Sequence, residues 1–179
     1  METIEKKLIF LVVEDMVSDS VLLQRQLTKL CKEPEIRFAD GKLSLINALK
    51  SYVPDFILCD FNLNGFDAFD VIEIGKEYNP LIPVIVITGN LKNERDEARL
   101  MEQGAAGFFL KDPMDKLHER MLPLFHKLLK EKEAHLESIE KKRLEINNYQ
   151  KNSDYFREYG KKGKKKSGFI NYLKRIFLR

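Results

Sequence analysis

Four apolar residues in a row closed by an aspartate, Phe56-Ile57-Leu58-Cys59-Asp60, constrain this chain more than any other stretch. Pro54-Asp55 stand before the run and Asn62-Leu63-Asn64-Gly65 behind it. Its length predicts a strand, and its lack of polar alternation predicts one buried on both faces. Such a strand belongs in a parallel sheet between two helical layers. Asp60 then stands at the carboxyl end, where open α/β sheets hold their ligands. Taken alone, Asp60 reads better as a helix cap or loop residue. Three further strand ends with complementary chemistry overturn that reading: Glu14-Asp15, Thr88 and Lys111.

The first of these follows the apolar run Leu8 to Val13. Ile36 to Phe38 predicts a short second strand, Pro83 to Thr88 a fourth, and Gly107 to Lys111 a fifth. Between them lie segments of helical periodicity. Ser18-Asp19-Ser20 looks like an N-cap cluster opening a helix at Val21, and Gly41 leads into an apolar face of Leu45, Ile46 and Leu49. Phe66 to Tyr78 and Asn93 to Gln103 predict two more helices, and Pro113 opens the last. Strand and helix alternate five times with short connections, which requires right-handed crossovers and a parallel sheet. The predicted class is α/β: a doubly wound five-stranded parallel sheet, flavodoxin-like, in order 2-1-3-4-5. That order puts Asp15 and Asp60 across the ligand crevice from each other.

Glu14, Asp15 and Asp60 converging should repel one another unless a cation resolves the conflict. Oxygen ligands in an open, wet site favour Mg²⁺. A lysine and a hydroxyl beside them, Lys111 and Thr88, suit a phosphoryl group. An aspartate nucleophile there would form an acyl phosphate.

From about Lys6 to about Leu124 the chain resembles the receiver domain of two-component response regulators. The matching pieces are Val12-Val13-Glu14-Asp15, Ile57 to Leu63, Val84 to Gly89 and Gly104 to Lys111, in the family's order. The resemblance implies that Asp60 is the phosphoacceptor and that Asp15, Asp60 and the backbone carbonyl of Asn62 hold Mg²⁺, with Glu14 acting through water. It implies that Lys111 and Thr88 meet the phosphoryl oxygens and that Phe108 is an aromatic switch following Thr88. The implied partners are a histidine kinase or histidine phosphotransfer protein upstream and a protein target downstream. Such a protein is a phosphorylation-dependent switch, not an enzyme. Two departures stand out: Leu63-Asn64 where the family often has Met-Pro, and Asp112 before Pro113 where proline commonly follows the lysine directly.

Residues 1–124 form the expected receiver, 125–150 a helical extension and 151–179 a basic tail. Phe125, Leu129, Lys132, Leu136, Ile139, Arg143 and Ile146 recur at alternating four- and three-residue steps. That seam predicts a coiled-coil homodimer through the C-terminal helix, with an extension folded back on the receiver as the alternative. Residues 1–120 carry 15 Lys/Arg against 21 Asp/Glu, whereas 151–179 carry 10 against 2. An acidic main domain weighs against nucleic acid as a partner. The lysine run 161–166 precedes Phe169, Leu173, Ile176 and Phe177 on one helical arc, a pattern that suits an anionic membrane surface. A receiver-gated scaffold or membrane-associated adaptor is therefore the alternative function. No stretch approaches the ~20 apolar residues of a membrane span. The start shows no signal-peptide pattern, so the expected location is cytoplasmic, with peripheral association at the inner face of the membrane as an extension of that reading.

Overall fold

The computed structural model describes residues 3–89, 94–131, 133, 137 and 139–148. The order is β1 (Leu8–Val13), α1 (Val17–Leu30), β2 (Pro34–Ala39), α2 (Lys42–Ser51), β3 (Phe56–Cys59), β4 (Asn62–Leu63), β5 (Phe66–Asp67), α3 (Ala68–Tyr78), β6 (Val84–Thr88), α4 (Glu94–Glu102), β7 (Gly107–Leu110) and α5 (Leu117–Glu131). A 3-10 turn at Met114–Lys116 leads into α5. Five strands form one parallel sheet in the order β2-β1-β3-β6-β7, while β4 and β5 make a separate antiparallel pair. Counting the strands of the main sheet alone, this is the predicted 2-1-3-4-5 arrangement.

Each central strand sends alternate side chains to opposite layers. Phe10, Val12, Phe56, Leu58, Ile85 and Ile87 face α1 and α5; Leu11, Val13, Ile57, Cys59, Val84 and Val86 face α2, α3 and α4. Burial on both sides explains why these runs are continuously apolar, and each large side chain so buried contributes about 1.5–3 kcal/mol. On the first layer the rings of Phe56 and Phe125 lie 4.6 Å apart, with Phe10 about as close to both at 5.9 and 6.0 Å. On the second, Gly75 lets α3 approach the sheet: a Cβ there would stand 3.3 Å from Ile57 and Val84 side-chain carbons.

The structure departs from the sequence reading in several places. Helix α1 begins at Val17, so Ser18, Asp19 and Ser20 lie in its first turn and do not cap it; the N-cap, Met16, makes no side-chain cap bond. Helix α3 begins at Ala68 rather than Phe66. Asn64-Gly65, with Gly65 at φ 81°, turn β4 into β5, and the Asp67 carboxylate then accepts from the Phe69 and Asp70 amides to start the helix. Helix α5, in keeping with its unbroken helical pattern, runs through Pro123. Phe125, the first position of the heptad seam, is fully buried in the receiver core.

Residues 139–148 are helical and pack back on the receiver. Ile139 and Ile146 are buried in the second layer's core, although α5 belongs to the first. Between them Arg143 donates from Nε to the Val53 carbonyl at 2.6 Å and pairs with Asp55 at 2.7 Å. Asp55 is itself buried, and its other oxygen accepts from the Ile9 amide at 2.7 Å. With Phe125 and the partly buried Leu129, five positions of the predicted seam are thus packed within the chain. Lys132, Leu136, Gln150 and the tail 151–179, including Phe169, Leu173 and the lysine run, lie outside the described residues. Among the described residues, no helix is long and apolar enough to cross a membrane.

Removing one partner of a buried ion pair leaves the other charge uncompensated. Arg143→Ala should therefore cost about 2–3 kcal/mol in denaturant unfolding, and pairing it with Asp55→Asn should recover part of the loss. A loss below about 0.5 kcal/mol, the range of ordinary surface changes, would contradict the docking described.

Candidate functional site

The parallel register brings four strand ends together. Val13 pairs with Cys59, Cys59 with Val86, and Thr88 with Leu110, so the residues that follow share one edge of the sheet. Backbone bonds hold them there: the Asp60 amide donates to the Val13 carbonyl at 3.0 Å, and the Lys111 amide to the Thr88 carbonyl at 2.7 Å. The Phe61 amide in turn donates to Asp60 Oδ1 at 2.8 Å, fixing the carboxylate's direction.

The Lys111 ammonium is the hub. It lies 2.7 Å from Glu14 Oε2, 2.6 Å from Asp19 Oδ2 and 3.5 Å from Asp60 Oδ2. Its side chain is 11% exposed and that of Glu14 is fully buried, so these contacts are little screened. Burial works against the lysine's charge, but the hydrogen bonds it donates to Asp19 and Glu14 and the charges of Glu14 and Asp60 outweigh it and hold its pKa above the ordinary value. Glu14 shows the reverse balance. Burial raises its carboxyl above the usual range, against the lowering effect of Lys111 and of the Met16 amide, which donates to its other oxygen at 3.2 Å.

Cys59 is the other nucleophile type beside Asp60. It is wholly buried, and desolvation pushes its thiol far up, so it is held as a neutral core group. The Asp60 carboxylate, by contrast, keeps some exposure at this strand end, with its side chain 14% exposed. Thr88 is buried at the end of β6, one register step from Lys111. Phe108, in the middle of β7, is partly buried against the second layer's core. Asp15 is half-buried beside Glu14 and is not one of Lys111's partners.

The donor set fits a hard divalent cation in part. Among the described residues no three His, Cys, Asp or Glu side chains are grouped so as to hold an ion by themselves. An ion here would need backbone and water oxygens as well, which Mg²⁺ accepts readily. Asp15 and Asp60 supply carboxylates. The Ala68 amide bonds to the Phe61 carbonyl and Asn62 faces Asp67, so antiparallel alternation turns the Asn62 carbonyl outward from the small hairpin.

Asp19, a partner of Lys111, is absent from the residues that the sequence pattern singles out, namely Glu14, Asp15, Asp60, Asn62, Thr88, Phe108 and Lys111. Treating Ser18-Asp19-Ser20 as a cap placed Asp19 outside the helix. Inside the first turn its side chain leans toward the helix N-terminus, and so toward the strand ends. A helix start placed directly after Asp15 was the signal that would have found it.

Residues 10–122, more than half of the chain, match the family described as response regulator receiver domain. The transcriptional regulatory protein ZraR of Klebsiella oxytoca is 27% identical over 105 residues, covering 59% of this chain and 23% of that protein. The DNA-binding transcriptional regulator NtrC of Proteus hauseri is 31% identical over 107 residues, covering 58% and 21%. The chain therefore spans under a quarter of the length of either relative. Among solved structures, the Mn²⁺-bound form of response regulator Rcp1 is similar at 26% identity with a TM-score of 0.55, over 65% of this chain and 91% of that one.

The Glu14–Lys111 contact predicts a pH dependence. A carboxyl whose folded pKa lies above its unfolded value costs stability at neutral pH, and the cost fades as pH falls through the folded pKa. Lys111→Met removes the main offset to burial and raises Glu14 further. The variant should lose about 1–3 kcal/mol near pH 7.5 and regain most of the difference near pH 5, measured by denaturant unfolding. An equal loss at both pH values would contradict the coupling.

Proposed function

Because the chain belongs to the response regulator receiver family, we propose that it accepts a phosphoryl group from a protein phosphohistidine onto Asp60 and signals by protein–protein contact. The observation that carries this reading is the setting of Asp60. One carboxylate oxygen is fixed by the Phe61 amide, and the other faces the Lys111 ammonium at 3.5 Å. In the transfer the N–P bond of the phosphohistidine breaks and an O–P bond forms to Asp60 Oδ2, while the imidazole leaves and takes up a proton. Lys111 neutralises charge on the transferred oxygens, and the Thr88 hydroxyl turns to meet another of them. Phe108 then repacks into the space that Thr88 vacates. With no hydroxyl of its own, this ring gains from the change through packing alone.

Mg²⁺ bound by Asp15, Asp60 and the Asn62 carbonyl, with Glu14 reached through water, would supply positive charge opposite Lys111. The donor types at the strand ends support that assignment. The donor of the phosphoryl group would be a histidine kinase or a histidine phosphotransfer protein, and the recipient of the signal a downstream protein. The chain is a switch in this reading: it catalyses its own modification and turns over no external substrate.

Incubation with a small phosphodonor and Mg²⁺, followed by mass spectrometry, should find a single acyl phosphate, on Asp60. Asp60→Asn should abolish it; label persisting on another carboxylate would refute the assignment. Asp15→Asn should weaken Mg²⁺ binding by about tenfold or more, since one of two close anionic ligands is lost. Unchanged Mg²⁺ affinity in that variant would remove Asp15 from the site.

A further inference from the structure

Lys111 has three N–H donors, and its two short contacts go to Glu14 and Asp19, not to Asp60. A phosphoryl group on Asp60 would compete with both of them for the ammonium, which lies 3.5 Å from Asp60 Oδ2. The two are not equivalent. The Glu14 side chain is fully buried, with its second oxygen bonded to the Met16 amide. Leaving Glu14 without the lysine would strand a desolvated carboxylate.

Asp19 stands on the rim, in the first turn of α1, with its side chain 30% exposed. Its second oxygen accepts from the exposed Ser18 hydroxyl at 3.2 Å. Water can replace the lysine at Asp19 at little cost. Asp19 is therefore the contact that gives way. It comes from a different element than the strand ends and lies four residues beyond Asp15, on the adjoining helix.

We propose that Asp19 is a positioning residue whose carboxylate holds the Lys111 ammonium off Asp60 in the resting protein, until a phosphoryl group competes for it. The inference rests on the reading of Asp60 as phosphoacceptor. Asp19 slows phosphorylation by making the lysine break one charge-assisted hydrogen bond first. It also sets a negative charge beside the path of an anionic donor. Both effects have the same sign, so neutralising Asp19 speeds the reaction.

The test compares full-length wild type with Asp19→Asn and Asp19→Ala, using acetyl phosphate and Mg²⁺ and counting only label on Asp60. The second-order rate constant of both variants should rise about five- to tenfold, the range for one charge-assisted hydrogen bond discounted for its place at the rim. In parallel, ¹⁵N relaxation of the Lys111 ammonium should report greater mobility in both variants, which a role confined to helix α1 would not produce. Rates within about twofold of wild type, slower rates, or an ammonium no more mobile than in wild type would each overturn the role of Asp19. If wild type takes no label on Asp60, the phosphoacceptor reading fails first and this inference falls with it.

Discussion

One ammonium makes this site tenable. The sheet topology forces Glu14, Asp15 and Asp60 to one edge, and α1 adds Asp19, so four carboxylates crowd one crevice, with Glu14 fully buried at its floor. Lys111 reaches Glu14, Asp19 and Asp60 together, within 2.6 to 3.5 Å. Its position depends in turn on β7 pairing with β6 and on the bond from its own amide to Thr88. The register of the parallel sheet and the charge balance of the site are therefore one arrangement. A slip of β7 by one residue would move the lysine to the other face and leave Glu14 buried without a counter-charge.

The opposite end of the sheet carries a second, independent ionic contact. Asp55 accepts from the backbone of β1 and pairs with Arg143 from the helical extension, while Ile139 and Ile146 close over the same edge. The extension thus completes the second layer's core from a segment that follows α5 on the first. Arg37 stacks on the Tyr52 ring at 4.1 Å, and both line a cavity shared with Arg143 and Ile146 of the extension. Asp55 and Asp60 thus flank β3, with the extension's ion pair at one end and the Lys111 cluster at the other.

Much of this could be read from the residues because parallel strands leave a plain record. A strand buried on both faces must be apolar throughout, so the residue at its end is conspicuous, as Asp60 and Thr88 are; Lys111 closes an edge strand that is only partly buried. Features depending on where a helix starts were harder. Ser18-Asp19-Ser20 has the composition of a cap, yet the chain enters α1 at Val17, and that shift of one turn turned a capping residue into a partner of Lys111. Asn64-Gly65 carried a hairpin signal that the helical pattern from Phe66 onward masked. The extension is ambiguous for a different reason. An apolar stripe at three- and four-residue steps is the same whether the helix meets a second copy or its own domain. Only Arg143, a charged residue inside the stripe, hinted at a specific partner, and Asp55 is 88 residues earlier in the chain.

The central claim is that Asp60 receives the phosphoryl group and Lys111 moves to meet it. A crystal structure with Mg²⁺ and beryllofluoride, which mimics an acyl phosphate, tests this most directly. The beryllium should bond Asp60 Oδ2, with Lys111 Nζ in hydrogen-bond contact with a fluorine and the 2.6 Å contact to Asp19 opened. A beryllofluoride group on another carboxylate, or a lysine still held by both Glu14 and Asp19 beside an occupied Asp60, would refute the claim.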